Sequence, residues 1–409
     1  MKASETFVKT FKTISKDETA ISAQYLLRAG YIHKEMAGVY TFLPLGLKVI
    51  ENIKDIIREE LNAIHCQEIS MTALQNPEPW QKSGRWADQD IDIWFKTELS
   101  AGGEVGLAPT HEEPITNMMK KYISSYKDLP AYVYQFQTKF RNELRAKSGI
   151  LRGREFLMKD LYSFSADDAS HMKFYHQVEE AYRTIFDRLN IGDSTYQTFA
   201  SGGIFAKYSH EFQTVLPIGE DTIYYNQDKS VVLNEEVLND EVLNEMGVTR
   251  DELESTKSAE VANIFTLKYK YSKPLDLNFI NQDGEREYVT MGCYGIGVSR
   301  LMGVIAEKFA DDKGLIWPES IAPFRYYLIA IGDQATNIAN DLHSQHPDLF
   351  YFDDTDNRPG AKFADADLIG LPYRAVISDK TLQDNKIEIT NRLTGQTSLL
   401  TIDDFVAKL

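Results

Sequence analysis

The sequence predicts an α/β (α+β) protein in two domains, and three observations carry that prediction. Strand-like segments at Ala131–Phe140, Phe156–Phe164 and Thr222–Tyr225 lie among helical periodicities. A turn-rich stretch, Trp317-Pro318 through Ala322-Pro323, reads as a linker. Beyond it, strand and helix alternate in short spans, the pattern of a small α/β domain. With 409 residues the chain can bury two or three cores, so we expect a large domain over 1–323 and a smaller one over 324–409.

Taken in order, apolar residues at Leu47, Ile50, Ile53, Ile57, Leu61 and Ile64 recur at helical spacing, with Pro44 and Gly46 just ahead of them. A strand pair follows, joined by a loop over Leu144–Gly153, and helical pattern returns at His171–Leu189. Between residues 226 and 258, Val-Leu-Asn recurs every five residues from Val232, Val237 and Val242. Nine acids face Lys229, Arg250 and Lys257 there, and a five-residue period suits neither helix nor strand. Short helical turns on a solvated surface are therefore expected. A further strand turns at Gly295 and Gly297 into a helix over Val298–Glu307. In the small domain, Tyr326–Ile331, Leu349–Phe352 and Tyr373–Ile377 read as strands, with helices near Ala335–Gln345 and Phe363–Leu368.

Composition bounds the function. Hydrophobic content of 43% with 26% charged residues is that of a soluble globular chain. Residues 1–20 lack an apolar run, so no secretory leader is expected, and no apolar stretch reaches membrane-spanning length. Cys66 and Cys293 make neither a disulfide framework nor a zinc cluster, which fits a reducing cytoplasm. The formal charge of −17 excludes a non-specific nucleic-acid coat. It leaves an RNA partner open, because local patches decide phosphate contact.

The chemistry concentrates in three segments. In Phe140-Arg141-Asn142-Glu143, the Arg and Glu project to one face of a strand, where a guanidinium can fork onto carboxylate or phosphate. Arg152 and Phe156, spaced R-x-x-x-F, can hold a polyphosphate and stack a base. Gly292-Cys293-Tyr294-Gly295-Ile296-Gly297-Val298-Ser299-Arg300 lets backbone approach a ligand and delivers a second cation. Together they read as a pocket for ATP and a carboxylic acid. Gly295-Ile296-Gly297 lacks the third glycine of a dinucleotide fingerprint, and no G-K-[ST] occurs. Neither His111-Glu112-Glu113 nor His210-Glu211-Phe212 extends to H-E-x-x-H, which excludes a zinc protease.

These residues carry a family resemblance. F-R-N-E with R-x-x-x-F resembles motif 2 of the class II aminoacyl-tRNA synthetases, and G-I-G-V-S-R resembles their motif 3. Ala108-Pro109-Thr110-His111-Glu112-Glu113, Arg154-Glu155-Phe156-Leu157-Met158-Lys159-Asp160 and Arg358-Pro359-Gly360-Ala361-Lys362-Phe363-Ala364-Asp365 narrow it to the bacterial-type prolyl-tRNA synthetases. The similarity runs from about Leu26 to the C-terminus, interrupted near 226–258, where many members carry an editing domain that some thirty residues cannot form.

The resemblance implies an antiparallel-sheet class II catalytic domain with flanking helices and a mixed-sheet α/β anticodon-binding domain. Motif 1 would span about 38–74, motif 2 about 131–164 and motif 3 about 291–307. It implies activation of L-proline with ATP and Mg2+, then transfer to tRNA(Pro). The helix of motif 1 would form a homodimer, although packing on its own domain explains the same stripe. Where members carry proline in the strand after that helix, this chain has Thr72.

Arg141 would bridge the substrate carboxylate and α-phosphate, while Glu143 would accept from the adenine amine or orient Arg141. Phe156 and Arg300 would sandwich the adenine, and Arg152 would reach the terminal phosphates. Thr110 and Glu112 would bind the secondary ammonium of proline, with His111 and Glu113 as neighbours. Met158, Tyr162 and His210 are candidate walls of the ring pocket. Cys293 would line it or serve as a small buried hydrophobe. Arg145 and Lys147 would meet the acceptor end of tRNA. Gly203-Ile204-Phe205-Ala206-Lys207-Tyr208 departs from the family's Gly/Ser-rich pattern, and Thr355 and Asn357 stand where Arg and Glu are usual. From Tyr326 onward seven Lys and Arg face thirteen acids, so no basic stripe marks an anticodon reader.

Without an editing domain, correction of mischarged tRNA would fall to a separate protein. Two alternatives stand beside this reading. One is a threonyl, histidyl or glycyl synthetase of the same subclass, disfavoured by T-x-E with R-E-F-L-M-K-D. The other is a non-catalytic paralogue binding RNA or a partner, disfavoured by the retention of Arg141, Arg152 and Arg300.

Overall fold

A computed structural model describes residues 1–14, 18–89, 92–201 and 208–409, so the stretch Gly203–Lys207 of the departing segment lies outside the described residues. The chain forms two compact units. One comprises Met1–Met36, Tyr40–Ile53 and Ile305–Leu409, the other Ala37–Val39 and Lys54–Val304. Compactness thus groups the N-terminal residues with the C-terminal sheet, whereas the sequence reading counts them within 1–323.

Helix α1 (Pro44–Ala63) begins at the proline rather than after it, because the fixed φ of proline suits a first helical turn. Gly46 therefore lies inside the helix, where a Cβ would sit 2.1 Å from the Tyr31 carbonyl oxygen. Ile50, Ile53, Ile57 and Leu61 are buried within the chain, while Leu47 is exposed. Helix α2 (Pro77–Ser83) is capped by Asn76, and α3 (Glu112–Met119) presents two acids in its first turn.

A nine-stranded sheet organises the large unit. In chain order its strands are β1 (Ala131–Phe140), β2 (Glu155–Ser165), β3 (Thr195–Ser201), β4 (Tyr208–Val215), β5 (Asp221–Tyr225), β6 (Val232–Asn234), β7 (Glu254–Lys268) and β8 (Thr290–Gly297). Helix α4 (Asp168–Arg188) follows β2, α5 (Asp240–Met246) follows β6 and α6 (Val298–Phe309) follows β8. Strand order is β4-β3-β6-β5-β7-β8-β2-β1, and the short strand Gln67–Glu68 completes the edge beside β1. Along β7, β8, β2 and β1 each neighbouring pair is antiparallel, as expected.

Register sets Cys293 between Tyr162 and Phe265, and Gly297 opposite Met158. Alternation along β2 puts Phe156, Met158, Asp160 and Tyr162 on one face. Lys159 and Leu161 take the other face, where Phe174, Tyr175 and Tyr182 of α4 pack. Strand β8 ends at Gly297 and passes directly into α6 at Val298, as expected. Gly295 serves space. A Cβ at Gly295 would stand 2.5 Å from the Met158 methyl and 2.9 Å from Asn263 Oδ1.

The acidic segment 226–258 also differs from expectation. It holds helical turns, but Leu233, Val237, Val242 and Leu243 form a small core of their own, with Phe199, Leu238, Met246 and Val248 packed on it. The repeat now has a physical cause. Val and Leu bury, Asn234 caps the turn at Glu235–Val237, and Asn239 caps α5 by accepting from the Val242 amide.

In the smaller unit, β9 (Tyr326–Ile331) lies parallel between β10 (Phe350–Asp353) and β11 (Tyr373–Ser378), and β12 (Lys386–Asn391) and β13 (Thr397–Thr401) add antiparallel. The sheet is mixed, as expected, although β12 and β13 were not anticipated. Helices α7 (Asp333–Gln345) and α8 (Pro359–Ile369) complete it. The N-terminal segment joins this unit through a parallel bridge between Lys2 and Phe352. Arg392 forks onto Asp311 with two bonds of 2.7 Å and holds that carboxyl well below its usual range.

Candidate active site

The face of β2 and β8 turned away from α4 opens into a cleft lined by Arg141, Glu143, Arg152, Phe156, Met158 and Arg300, together with Glu260 and Asn263 of β7. Arg141 follows the end of β1, where its amide donates to the Arg154 carbonyl at 2.8 Å. Its Nε donates to the Pro109 carbonyl at 3.2 Å, and its guanidinium lies 5.2 Å from the Phe156 ring centroid. Burial lowers its pKa, Glu260 opposes that, and Arg300 adds to it. The guanidinium stays charged.

Arg300 is anchored by carbonyls: Nε donates to Leu151 at 2.8 Å and Nη1 to Glu260 at 2.6 Å. Arg152 donates Nη2 to Glu143 at 2.7 Å and Nη1 to Glu220 at 2.8 Å. Glu143 therefore steadies Arg152, a role the sequence reading had assigned toward Arg141 or the adenine. The loop beyond carries Arg145 and Lys147, both exposed, with Lys147 3.4 Å from Glu220.

Deeper, Thr110 Oγ1 donates to Glu112 Oε2 at 2.6 Å, and Glu112 is buried. Its Oε1 faces the Cys293 thiol at 3.3 Å and the Tyr162 hydroxyl at 3.4 Å. Burial and the Glu112 charge push that thiol well up, so it stays protonated. Below lies a second buried group. Asp160 Oδ2 accepts from Lys139 at 2.9 Å, Tyr162 at 2.9 Å and Gln135 at 3.0 Å. His111 links its Nε2 to the Thr72 carbonyl at 3.0 Å and its Nδ1 to Lys139. Burial, then Lys139, lowers its pKa to about 4, so at neutral pH Nε2–H donates and Nδ1 accepts.

The structure thus brings together Thr110, Glu112, Tyr162 and Cys293, and separately Arg141, Glu143, Arg152, Phe156, Met158 and Arg300. His210 is not among them. It shares a row with Ile264 of β7, and Ile264 pairs with Tyr294 on the face that packs α4. Its Nδ1 meets the Tyr175 hydroxyl at 2.8 Å, and a groove with Tyr196, Phe199 and Lys229 lies beside it. Parity of the strand corrects the assignment: Glu211, one residue on, is the neighbour aligned with Asn263 and Gly295. Met158 belongs to the cleft rather than the pocket around Glu112. Sequence reasoning missed Arg85, Lys139, Glu260 and Asn263. A lysine within the β1 pattern was a usable signal for Lys139, whereas Arg85 lies in a loop whose spacing carries none.

Residues 95–309 match the family described as tRNA synthetase class II core domain (G, H, P, S and T), and residues 326–409 match the anticodon binding domain. A proline–tRNA ligase of Anaplasma phagocytophilum (strain HZ) is 38% identical over 430 residues, covering 100% of both chains. One of Ehrlichia chaffeensis (strain ATCC CRL-10679 / Arkansas) is 39% identical over 425 residues, again covering 100% of each. The chain belongs to the prolyl-tRNA synthetases. Like these relatives, it has a length that leaves no room for a large inserted domain between motifs 2 and 3. Among solved structures, the prolyl-tRNA synthetase of Cryptosporidium parvum complexed with halofuginone and AMPPNP aligns with a TM-score of 0.78 at 16% identity. That alignment covers 95% of this chain and 75% of that one. The Giardia lamblia prolyl-tRNA synthetase in complex with prolyl-adenylate gives 0.76 at 20% identity, covering 93% and 74%. At these identities the likeness is one of fold, the class II core with an anticodon domain.

Proposed function

We propose that this chain activates L-proline with ATP, releasing pyrophosphate, and then passes the prolyl group from the adenylate to the 3′ end of tRNA(Pro), releasing AMP. The observation that carries the reading is that the two groups share one sheet face and meet at Arg141. Arg141 of the cation-lined cleft donates to the Pro109 carbonyl, next to the Thr110–Glu112 pair. A zwitterion with its carboxylate at Arg141 and its amine at Glu112 would present one carboxylate oxygen to the α-phosphate. Catalysis is then positioning and charge neutralisation, with no covalent enzyme intermediate.

In this reading Phe156 offers a stacking face for adenine and Arg300 a fixed cation beside it. Arg152 exchanges its hold on Glu143 and Glu220 for the terminal phosphates. Tyr162 and Cys293 wall the proline ring, and Arg145 and Lys147 meet the acceptor end. We assign 1–323 to the catalytic domain and 324–409 to anticodon binding, and infer a homodimer through motif 1 and a cytoplasmic setting. Among the described residues no cluster of three His, Cys, Asp or Glu is placed to hold a metal. Glu260 lies at the cleft, where its carboxylate could meet an ion arriving with the nucleotide. When bound, Mg2+ would share the charge of the phosphates.

The test is amino-acid-dependent ATP–pyrophosphate exchange with each of the twenty amino acids. Exchange strongest with proline supports the reading, and silence with all twenty favours a non-catalytic protein.

A further inference from the structure

Arg85 stands behind the Glu112 pocket, outside every motif. It is buried, with its guanidinium 5.4 Å from the ring centroids of both Trp80 and Tyr271. Its Nη1 bonds Glu113 at 3.0 and 3.1 Å and Tyr271 Oη at 2.7 Å, and lies 3.7 Å from Glu112 Oε2. Ser83 also donates to Glu113, at 2.7 Å, and Lys270 faces the acidic pair from an exposed position. The neighbouring group is self-contained, since Lys139 balances Asp160 and His111 is neutral. With Glu113 ionised, the buried charges are thus two cations against three carboxylates, which leaves one negative charge at Glu112 and Glu113.

We infer that Arg85 is a positioning residue: by dividing one guanidinium between two carboxylates, it leaves a single negative charge to receive the singly charged ammonium of the substrate. This rests on the proposed role of Glu112 as the receiver of that amine. A lone Glu112 would also carry one charge. The arrangement of two acids and one Arg adds rigidity, because the guanidinium is clamped between aromatic faces and locks Glu113 against the first turn of α3.

The experiment compares E113Q with E113Q/R85M in proline-dependent exchange. In E113Q, Arg85 is left facing Glu112 alone and cancels it. The KM for proline should rise at least tenfold, with kcat and the KM for ATP within about threefold of the parent. Removing the guanidinium as well returns one negative charge, so the double variant should regain most of the lost proline affinity. A double variant as weak as E113Q or weaker, with an unchanged melting temperature, would overturn the inference.

Should the double variant fail to fold, tetrahydrofuran-2-carboxylate, the isostere of proline with an ether oxygen in place of the ammonium, serves as competitor. Wild type should prefer proline strongly over it and E113Q should lose that preference, whereas an unchanged ratio overturns the inference. Absence of proline-dependent exchange in the wild type would instead sink the proposed function and is separately visible.

Discussion

At the scale of single residues, burial decides which charges are available. Arg141 keeps its charge whatever its surroundings, so R141A should lower exchange by about 10²–10³-fold with little change in melting temperature. Glu113 behaves differently. Burial pushes its carboxyl up to about 7, with Arg85 opposing and Glu112 reinforcing. A bound ammonium would pull it down again, so proline binding releases a proton below that pH. The KM for proline should therefore rise as pH falls below about 7, approaching tenfold per pH unit, and E113Q should flatten the profile. Stability without substrate runs the other way. The folded value exceeds the ordinary 4.5, so the contribution of this group is full below about 4.5 and is lost as pH rises through about 7. Thermal melting across that window, with E113Q as control, reads the sign.

At the scale of elements, the glycines of β8 and the asparagines of the acidic segment are the informative positions. A methyl at Gly295 meets the Met158 side chain and Asn263 at the cleft floor. G295A should then raise the KM for ATP by about tenfold, roughly the 1–3 kcal/mol cost of overpacking, while the sheet still forms. Isothermal titration with a non-hydrolysable ATP analogue separates that from a folding defect. Asn239 caps α5, so N239A should cost about 1 kcal/mol in denaturant unfolding and leave exchange intact. The strands of motif 2 were legible to within a residue or two, because apolar alternation and flanking turns agree there. The segment 226–258 was misjudged as surface because its acids dominate composition, and its buried Val and Leu become visible only against Phe199.

At the scale of the whole molecule, a pocket for a small apolar amino acid without an editing domain cannot reject alanine strongly. Exchange with alanine should run about 100-fold below proline in kcat/KM, and deacylation of alanyl-tRNA by this chain should be undetectable. The acidic balance of the small unit predicts that tRNA affinity rests on few phosphate contacts, so the slope of log affinity against log salt should be shallow for an RNA-binding enzyme. The sequence by itself determined the fold class, the core strands and the family, and it singled out Arg141, Arg152, Phe156, Thr110, Glu112 and Arg300 as candidates. Each of these is written in local periodicity or in contiguous motifs. Only the tertiary structure decided that His210 faces α4, that Glu143 holds Arg152, and that Arg85 reaches Glu112 from a distant loop. Those outcomes depend on strand parity and on charges meeting across long sequence separations, and a one-residue step that reverses the side of a sheet leaves no trace in composition.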